Sequence, residues 1–213
     1  MWTNKFKRVL ALSPHTDDIE FGCGATLAKL LTTGVRVKSI AFSAAEESVP
    51  EGLPIDTLRK EFAISHDLLG IPIEDREVLM FKVRHFPRDR QEILEVLVQL
   101  NLSYQPDLVL VPSTGDTHQD HKTIAEEAFR AFKRTSMWAY EVPWNQQVSK
   151  VNCFVGVSEV ELQKKITAIE AYESQKHRKY TTNQFIRSLA VVRGGQMGVP
   201  LAEGFEVVRQ MVF

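Results

Sequence analysis

Apolar and polar positions along the chain alternate between short, continuously apolar runs and longer amphipathic stretches. The run RVLALS (8–13) precedes GATLAKLLTTG (24–34), a helical pattern that Gly34 closes, and VRVKSIAFS (35–43) follows as a second strand-like run. This order predicts that the chain opens with a strand, a helix and a second strand.

The same rhythm continues through the middle of the chain. Helical periodicity predicts helices over Thr57–Leu69 and Arg90–Leu102, and apolar strand-like runs stand at VLMF (78–81) and DLVLVPS (107–113). Because strands such as LVLVP are apolar on both faces, they belong to a sheet that helices cover on both sides. We therefore predict an α/β fold with a doubly wound, mostly parallel, Rossmann-like sheet and helices on both faces.

The pattern becomes looser from residue 137 onward. It predicts apolar runs at MWAYEV (137–142), NCFVGVS (152–158) and VVRQMVF (207–213), a helix over Glu159–Tyr172 and a helical stretch after Thr181. The sequence contains no linker, repeat or low-complexity tract. We therefore treat residues 1–213 as a single domain, a length that suits one substantial core.

Charge and cysteine content narrow the class of protein. The 26 Lys and Arg residues nearly balance the 27 Asp and Glu residues, so we expect no nucleic-acid or anionic-membrane surface. The N-terminal apolar stretch is too short for a signal peptide or a membrane span, and two cysteines, Cys23 and Cys153, suit a reducing compartment. We predict a cytoplasmic protein with a small polar substrate; its oligomeric state, a homo-oligomer included, stays open.

Two short polar clusters follow predicted strands, where ligands bind in open α/β sheets. The first contains His15, Asp17 and Asp18, and the second contains His118, Asp120 and His121. Imidazole and carboxylate ligands suit zinc or another borderline divalent ion, and three protein ligands with one open position form a catalytic site. The two clusters therefore predict a catalytic metal centre.

Each of these residues also has a purely structural interpretation. A single loop histidine is more often a hydrogen-bonded surface or cap residue than a metal ligand. Asp17 or Asp18 could cap the helix that follows, and Asp120 could cap the helix beginning near His121. Capping accounts for one aspartate per helix, but not for two adjacent aspartates beside histidines, so the co-location favours a metal site.

These motifs resemble those of the LmbE/PIG-L-like deacetylases. The segment PHTDDIE (14–20), followed by GCGAT (22–26), is similar to the family's PHPDD signature, and DTHQDH (116–121) is similar to its H-x-D-H motif. Further positions fall in the family's order and spacing: Lys165, Ala168, Ile169, Tyr172, Ser174, Gln175, Arg193, Gly194, Gly198 and Ala202–Phe205. Thr16 replaces a usual proline and Ala25 a common glycine, and neither position supplies a ligand.

The resemblance implies a zinc-dependent hydrolase that removes the N-acetyl group from an N-acetylglucosamine moiety of a small molecule or glycoconjugate. It implies His15, Asp18 and His121 as ligands of Zn²⁺, with Fe²⁺ as an alternative ion. Asp17 would be the general base for the metal-bound water. His118 would be the general acid that supports the tetrahedral intermediate and protonates the leaving amine.

Asp120 is a further catalytic candidate through its position beside His118. A histidine hydrogen-bonded to a carboxylate is more basic, and therefore more often protonated at neutral pH. We therefore expect the Asp120 carboxylate to contact His118.

Substrate-binding candidates are Glu46, Arg59 and Asp116. The family often carries Glu and Arg at the first two positions, although Glu46 could lie in a solvated loop and Arg59 could form an ion pair with a neighbouring Glu on the helix surface. Some relatives have Tyr where Asp116 stands, so Asp116 is a candidate for holding a substrate hydroxyl. The basic cluster 176–179 is interpreted as a loop facing solvent or a substrate phosphate.

Two other functions compete with amide hydrolysis. Gly22-Cys23-Gly24 after a strand is typical of dinucleotide binding, but Leu27 stands at the third glycine position, and the charges of Asp17 and Asp18 would oppose a pyrophosphate. The other alternative is a sugar-binding protein of the same fold without deacetylase activity.

Overall fold

In the computed structural model, which describes residues 2–212, seven strands form one sheet. The strands are β1 Arg8–Ser13, β2 Arg36–Ala41, β3 Arg76–Val78, β4 Leu108–Pro112, β5 Ser136–Tyr140, β6 Cys153–Gly156 and β7 Ala202–Arg209. Their order across the sheet is β3-β2-β1-β4-β5-β7-β6. The first five strands pair in parallel, and β7 runs antiparallel to both β5 and β6. The predicted mostly parallel sheet is confirmed.

Helices cover both faces of this sheet. They are α1 Asp18–Thr32, α2 Thr57–Leu69, α3 Arg90–Tyr104, α4 Gln119–Ala131, α5 Glu159–Glu170 and α6 Asn183–Met197. Val9 and Ala11 of β1 face the core beneath α1, α5 and α6, and the alternate residues Leu10 and Leu12 face the core beneath α3 and α4. The predicted doubly wound arrangement is therefore confirmed. Within residues 2–212, no helix combines the length and apolar character needed to cross a membrane.

Helix α1 begins at Asp18, earlier than the predicted start at residue 24. The backbone leaves helical geometry at Cys23, where φ is −148° and ψ is 18°, and the helix kinks there. Just after the kink, the Glu203 carboxylate accepts hydrogen bonds from the N–H groups of Ala25 and Thr26 at 3.2 and 2.6 Å. A residue of the last strand therefore caps the second half of the first helix.

Two predicted strand boundaries are wrong. The run VLMF (78–81) lies mostly beyond strand β3, whose register with β2 ends at Val78. Two backbone hydrogen bonds continue the contact, from Leu79 N to Ala41 O at 2.8 Å and from Phe81 N to Phe42 O at 3.1 Å. The run VVRQMVF (207–213) overlaps only the end of β7, and Phe213 lies outside the described residues. Strand β7 starts earlier, at Ala202, and its second residue is the buried carboxylate Glu203, which an apolar pattern does not include.

Candidate active site

The two predicted polar clusters lie side by side at the carboxyl edge of the sheet. The first follows β1 and the second follows β4, and these strands are parallel neighbours with Val9 opposite Leu108. Ring nitrogens of His15, His118 and His121 all lie within 4.8 Å of one another. The topology thus joins side chains that are distant in the sequence, as expected for the strand ends of an open sheet.

The carboxylate of Asp18 lies between two of these imidazoles. Its Oδ2 atom is 3.3 Å from Nδ1 of His15, and its Oδ1 atom is 3.3 Å from Nε2 of His121. Oδ2 also accepts a 2.7 Å hydrogen bond from the backbone N–H of His15, which holds the carboxylate at the start of α1. Two imidazole nitrogens and one carboxylate therefore face the same small space.

Each of these two histidines has its other ring nitrogen bound by a second carboxylate. Asp120 Oδ2 lies 3.0 Å from His15 Nε2, and Asp116 Oδ2 lies 2.8 Å from His121 Nδ1. Metal-ligating histidines usually make such an outer contact, because it fixes the tautomer and the orientation of the ring. The nitrogens that remain are the two facing Asp18, so the donor set fits a divalent ion such as Zn²⁺.

The carboxylates keep this site strongly charged. Burial by itself lowers the pKa of His15, but the charge of Asp18 and the hydrogen bonds with Asp120 and Asp18 outweigh it and raise that pKa to about 9. His121 behaves alike: burial opposes the charged ring, but Asp18 and Asp116 raise its pKa to about 10. The two imidazolium charges outweigh burial at Asp18 and hold its pKa well below the usual range.

Asp17 has a different environment from its neighbour Asp18. It is half-buried and lines the cleft that also contains the histidines. Burial, followed by the negative charge of Asp18, raises the pKa of Asp17 to about 7, although His15 and Arg178 oppose the rise. A carboxyl group with this pKa exchanges a proton readily at neutral pH, as a general base must.

The His118 ring is held by a backbone N–H group and not by a carboxylate. Its side chain caps α4, with Nδ1 accepting a 3.2 Å hydrogen bond from Asp120 N, and its own N–H donates to Asp116 Oδ1 at 2.8 Å. Burial, together with the charges of His15 and His121, lowers the pKa of His118 to about 4. With Nδ1 accepting, the neutral ring carries its proton on Nε2.

The predicted contact between the Asp120 carboxylate and His118 is wrong. The carboxylate binds His15 instead, and it also accepts the backbone N–H of Arg84 at 2.6 Å, where Arg84 has a left-handed φ of 68°. It therefore holds a ring of the first motif and the loop that follows β3. The structural alternative, in which Asp120 caps the helix, is also not observed, since His118 occupies the N-cap position of α4.

The three predicted substrate-binding residues are engaged with the protein itself. Arg59 Nε donates to Glu46 Oε1 at 3.2 Å, and its other nitrogens donate to the carbonyls of Val78 and Leu79. Arg59 thus forms an ion pair, as the alternative suggested, but its partner is Glu46 in the segment before α2 and not a Glu on the helix surface. Asp116 is buried against His121 and His118, so its carboxylate has a positioning contact where we expected a substrate contact.

The cleft that contains His15, Asp18 and His121 has a volume of about 190 Å³. One wall comes from residues that were not predicted as site residues: Trp144, Asn145, Gln175, Arg178 and Tyr180. These residues lack a short motif of their own. Gln175 stood among the family-like positions and Arg178 in the basic cluster, but nothing in the sequence placed either beside Asp17.

The glycine-rich turn has a packing role that dinucleotide binding does not require. A Cβ atom on Gly22 would lie 2.1 Å from Cδ2 of Tyr140, and one on Gly24 would lie 3.1 Å from Cγ of Lys165. These glycines let α1 approach β5 and α5 closely. The dinucleotide alternative therefore loses the feature that suggested it.

Comparisons with known proteins find relatives that are named as deacetylases. The family model described as GlcNAc-PI de-N-acetylase (PIG-L) matches residues 10–132. The diacetylchitobiose deacetylase of Thermococcus kodakarensis is 26% identical over 230 residues, which cover 96% of this chain and 84% of that protein. The matched residues include both motifs that build the site.

Solved structures share the fold at lower identity. The N,N′-diacetylchitobiose deacetylase of Pyrococcus horikoshii, complexed with an inhibitor, has a TM-score of 0.81 at 24% identity, covering 96% of this chain and 85% of that chain. GalB, the 4-carboxy-2-hydroxymuconate hydratase of Pseudomonas putida, has a TM-score of 0.78 at 21% identity, covering 97% of this chain and 98% of that chain. Since a deacetylase and a hydratase share the architecture, the fold alone does not define the reaction.

Proposed function

This chain belongs to the GlcNAc-PI de-N-acetylase (PIG-L) family, and from that premise we propose that it hydrolyses the N-acetyl group of an N-acetylglucosamine unit. The substrate is a small molecule or glycoconjugate that carries this unit. The reaction is the hydrolysis of a linear amide, which yields acetate and a free amine.

The observation that carries the proposal is the position of Asp18 between two imidazole nitrogens. Nδ1 of His15 and Nε2 of His121 each lie 3.3 Å from a different oxygen of that carboxylate. Asp17 and His118 line the same cleft, one as a carboxylate and one as an imidazole. Metal-dependent amide hydrolysis uses these groups together: a metal site, a proton acceptor and a hydrogen-bond donor.

His15, Asp18 and His121 would hold a divalent cation, for which we propose Zn²⁺, with Fe²⁺ as the alternative. Bound there, such an ion would supply a Lewis acid that acidifies a water molecule and polarises the acyl oxygen. Asp120 and Asp116 would keep the two histidine rings turned toward it.

Asp17 and His118 divide the remaining work. Asp17 accepts one proton from the attacking water while the oxygen of that water forms a bond to the acyl carbon. When the carbon–nitrogen bond breaks, the Asp17 carboxyl group returns that proton to the departing amine. Its pKa, raised to about 7, suits both transfers. His118, with its pKa lowered to about 4, is neutral at pH 7 and donates an Nε2–H hydrogen bond to the oxyanion. This revises the general-acid role expected for His118.

We also propose a cytoplasmic location. Cys23 is buried and Cys153 is half-buried, and both are free thiols. Free thiols suit a reducing compartment.

The test combines metal analysis with acetate release. The purified chain is assayed for bound zinc and iron, and then for acetate release from UDP-linked, lipid-linked, thiol-precursor and chitooligosaccharide N-acetylglucosaminides. We expect one bound metal per chain and turnover of at least one class. Asp17→Asn should keep the metal and lose roughly 10²–10⁴-fold in rate. Unchanged hydrolysis by Asp17→Asn would refute the mechanism, and dinucleotide binding without hydrolysis would refute the function.

A further inference from the structure

Two stacked aromatic rings form part of the cleft wall. The rings of Trp144 and Tyr180 lie 3.9 Å apart between centroids and only 7° from parallel. Both line the cleft that contains Asp17 and His118, and Trp144 is 37% exposed. A large aromatic side chain is thus partly open to solvent beside the candidate catalytic groups, although an exposed tryptophan forgoes the stabilisation that burial would give it.

The stack is held in place by further aromatic contacts. Phe21 of α1 meets both rings edge-on, with centroid distances of 5.3 Å to Trp144 and 5.6 Å to Tyr180. Phe185 of α6 packs against Trp144 at 5.9 Å. These neighbours come from two helices, so the stack is formed before any ligand arrives, and little side-chain freedom is lost on binding.

The loop that carries Trp144 is tied to the second motif. Thr117 donates its backbone N–H at 2.9 Å and its hydroxyl at 2.8 Å to the carbonyl of Asn145. Thr117 directly precedes His118. The position of the stack is therefore fixed relative to the residue that we place at the oxyanion.

Polar groups surround the stack. The guanidinium of Arg178 lies 5.7 Å from the centre of the Tyr180 ring and is hydrogen-bonded to its hydroxyl. Gln175, which is 6% exposed and lines the cleft, has an Oε1 atom without a hydrogen-bond partner among the described residues. Asn145 completes this rim. A buried amide oxygen without a partner carries a free-energy cost, which a hydroxyl donor from a ligand would remove.

The part of Trp144 that stays exposed in this stack, with amide and guanidinium groups nearby, matches a pyranose ring. Such a ring presents C–H groups on its faces and hydroxyl groups around its rim, so its faces contact aromatic rings and its hydroxyls bond to polar side chains. A phosphate fits less well, because Arg178 already faces the charge of Asp17, and Asp17 and Asp18 bring negative charge to the same cleft.

We propose that Trp144 and Tyr180 form a subsite for a second pyranose ring, the sugar glycosidically linked to the N-acetylglucosamine unit that is deacetylated. The inference rests on the proposed function, since that unit must lie at Asp17 and His118 for its neighbour to reach the stack. The preferred substrates are therefore di- or oligosaccharides rather than free N-acetylglucosamine.

The test measures binding separately from turnover. In the metal-loaded Asp17→Asn chain, the dissociation constants of N-acetylglucosamine and N,N′-diacetylchitobiose are measured calorimetrically, with tryptophan fluorescence as the second signal. We expect the disaccharide to bind about tenfold more tightly, the upper range for one aromatic contact. Adding Trp144→Ala should bring the ratio close to one, while Trp144→Phe should retain part of it because an aromatic face remains.

A matched control is Phe129→Ala, which removes an aromatic side chain of α4 that is 48% exposed and lies outside the cleft wall. It should keep the tenfold ratio. Circular dichroism and metal content check that each variant is folded.

The outcomes separate this subsite from the proposed activity. If the disaccharide preference depends on Trp144 but no N-acetylglucosaminide releases acetate, the subsite stands and the function fails. If acetate is released but both sugars bind equally, the subsite is refuted. Equally, a Trp144-dependent preference for UDP-N-acetylglucosamine or for an aromatic glycoside over the disaccharide would refute a second pyranose as the occupant.

Discussion

Oδ2 of Asp120 lies 3.0 Å from Nε2 of His15, so a carboxylate of the second motif orients a ring of the first. The two residues are 105 positions apart in the sequence. This bond, together with that between Asp116 and His121, leaves one nitrogen of each imidazole directed at Asp18. The metal site that we propose thus depends on residues that do not ligate the metal.

Asp120→Asn should weaken metal binding without abolishing it. The amide has no charge and supports the His15 ring less well, and loss of such an outer contact typically costs about 10–100-fold in metal affinity or activity. Competition with a chromophoric chelator measures the affinity. Asp17→Asn is the control, because it removes a cleft carboxylate yet should retain the wild-type affinity. Equal affinity in Asp120→Asn and the wild type would contradict the supporting role.

Metal binding should release protons at neutral pH. The pKa values of His15, about 9, and His121, about 10, mean that both rings are charged in the metal-free protein at pH 7. Because a metal needs neutral imidazole, up to about two protons should leave on binding, and affinity should rise with pH until both rings are neutral. Titration calorimetry in buffers of different ionisation enthalpy counts these protons. Affinity that is constant between pH 7 and 9 would contradict the assignment.

The same shifts predict how the stability of the metal-free protein varies with pH. The pKa values of His15 and His121 in the folded state lie above the ordinary value of about 6.5. Their contribution to the free energy of unfolding is therefore fully present below pH 6.5. Their contribution is lost as the pH rises through 9 and 10. Urea unfolding of the metal-free chain between pH 6 and 10 should show a decrease that metal loading removes.

Two substitutions of His118 separate a hydrogen-bond donor from a proton donor. If its Nε2–H supports the oxyanion, His118→Gln can keep a donor and should stay within about tenfold of the wild-type kcat, whereas His118→Ala should lose about 10²–10³-fold. A general acid predicts equally large losses for both variants, since glutamine does not supply a proton. Steady-state kinetics on a substrate identified by acetate release distinguish the two roles.

Lys165 and Glu203 form a buried ion pair with a 2.6 Å contact, and each residue is about 95% buried. Lys165→Met would leave Glu203 charged and less well paired, so we expect a loss of about 3–5 kcal/mol in the free energy of unfolding. Adding Glu203→Gln to that variant should restore part of it. Lys176→Met, which breaks an exposed pair with Glu173, is the control and should leave stability almost unchanged. Equal effects of the two lysine substitutions would contradict the interpretation.

Adjacent glycines of α6 should respond oppositely to alanine. A Cβ on Gly194 would lie 2.5 Å from the carbonyl oxygen of Val199, but one on Gly195 meets no atom within 4 Å among the described residues. Gly194→Ala should therefore destabilise the protein by about 1–3 kcal/mol. Gly195→Ala should be neutral or stabilising, by up to about 1 kcal/mol, because alanine favours a helix. Thermal unfolding of the two variants gives the comparison directly.

Local pattern was sufficient for those parts of the fold in which local and tertiary preferences agree. RVLALS coincides with β1 at Arg8–Ser13, and the predicted helix over Thr57–Leu69 coincides with α2. The antiparallel insertion of β7 between β5 and β6 could not be predicted, because strand order depends on packing between distant segments. The start of α1 was missed because its kink is completed by Glu203 from that distant strand.

The site was predictable to the level of the motif but not of the individual contact. Strand ends bring His15 and His121 together whatever their rotamers, and the motif spacing therefore suffices. Asp116 and Asp120 flank His118 in the sequence, and spacing does not indicate which histidine each carboxylate reaches. The aromatic wall has no motif at all, since Trp144 and Tyr180 meet only after β5 and α5 have placed their loops.

The Glu203 cap on α1 bears on how this protein emerges from the ribosome. Both metal motifs lie within residues 10–132, so they are synthesised well before Glu203. Until Glu203 has been synthesised, the N–H groups of Ala25 and Thr26 lack its carboxylate as an acceptor, and this contact does not stabilise α1. A nascent chain that already carries every proposed metal ligand should therefore bind metal poorly, and tight metal binding should follow once β7 has left the ribosome.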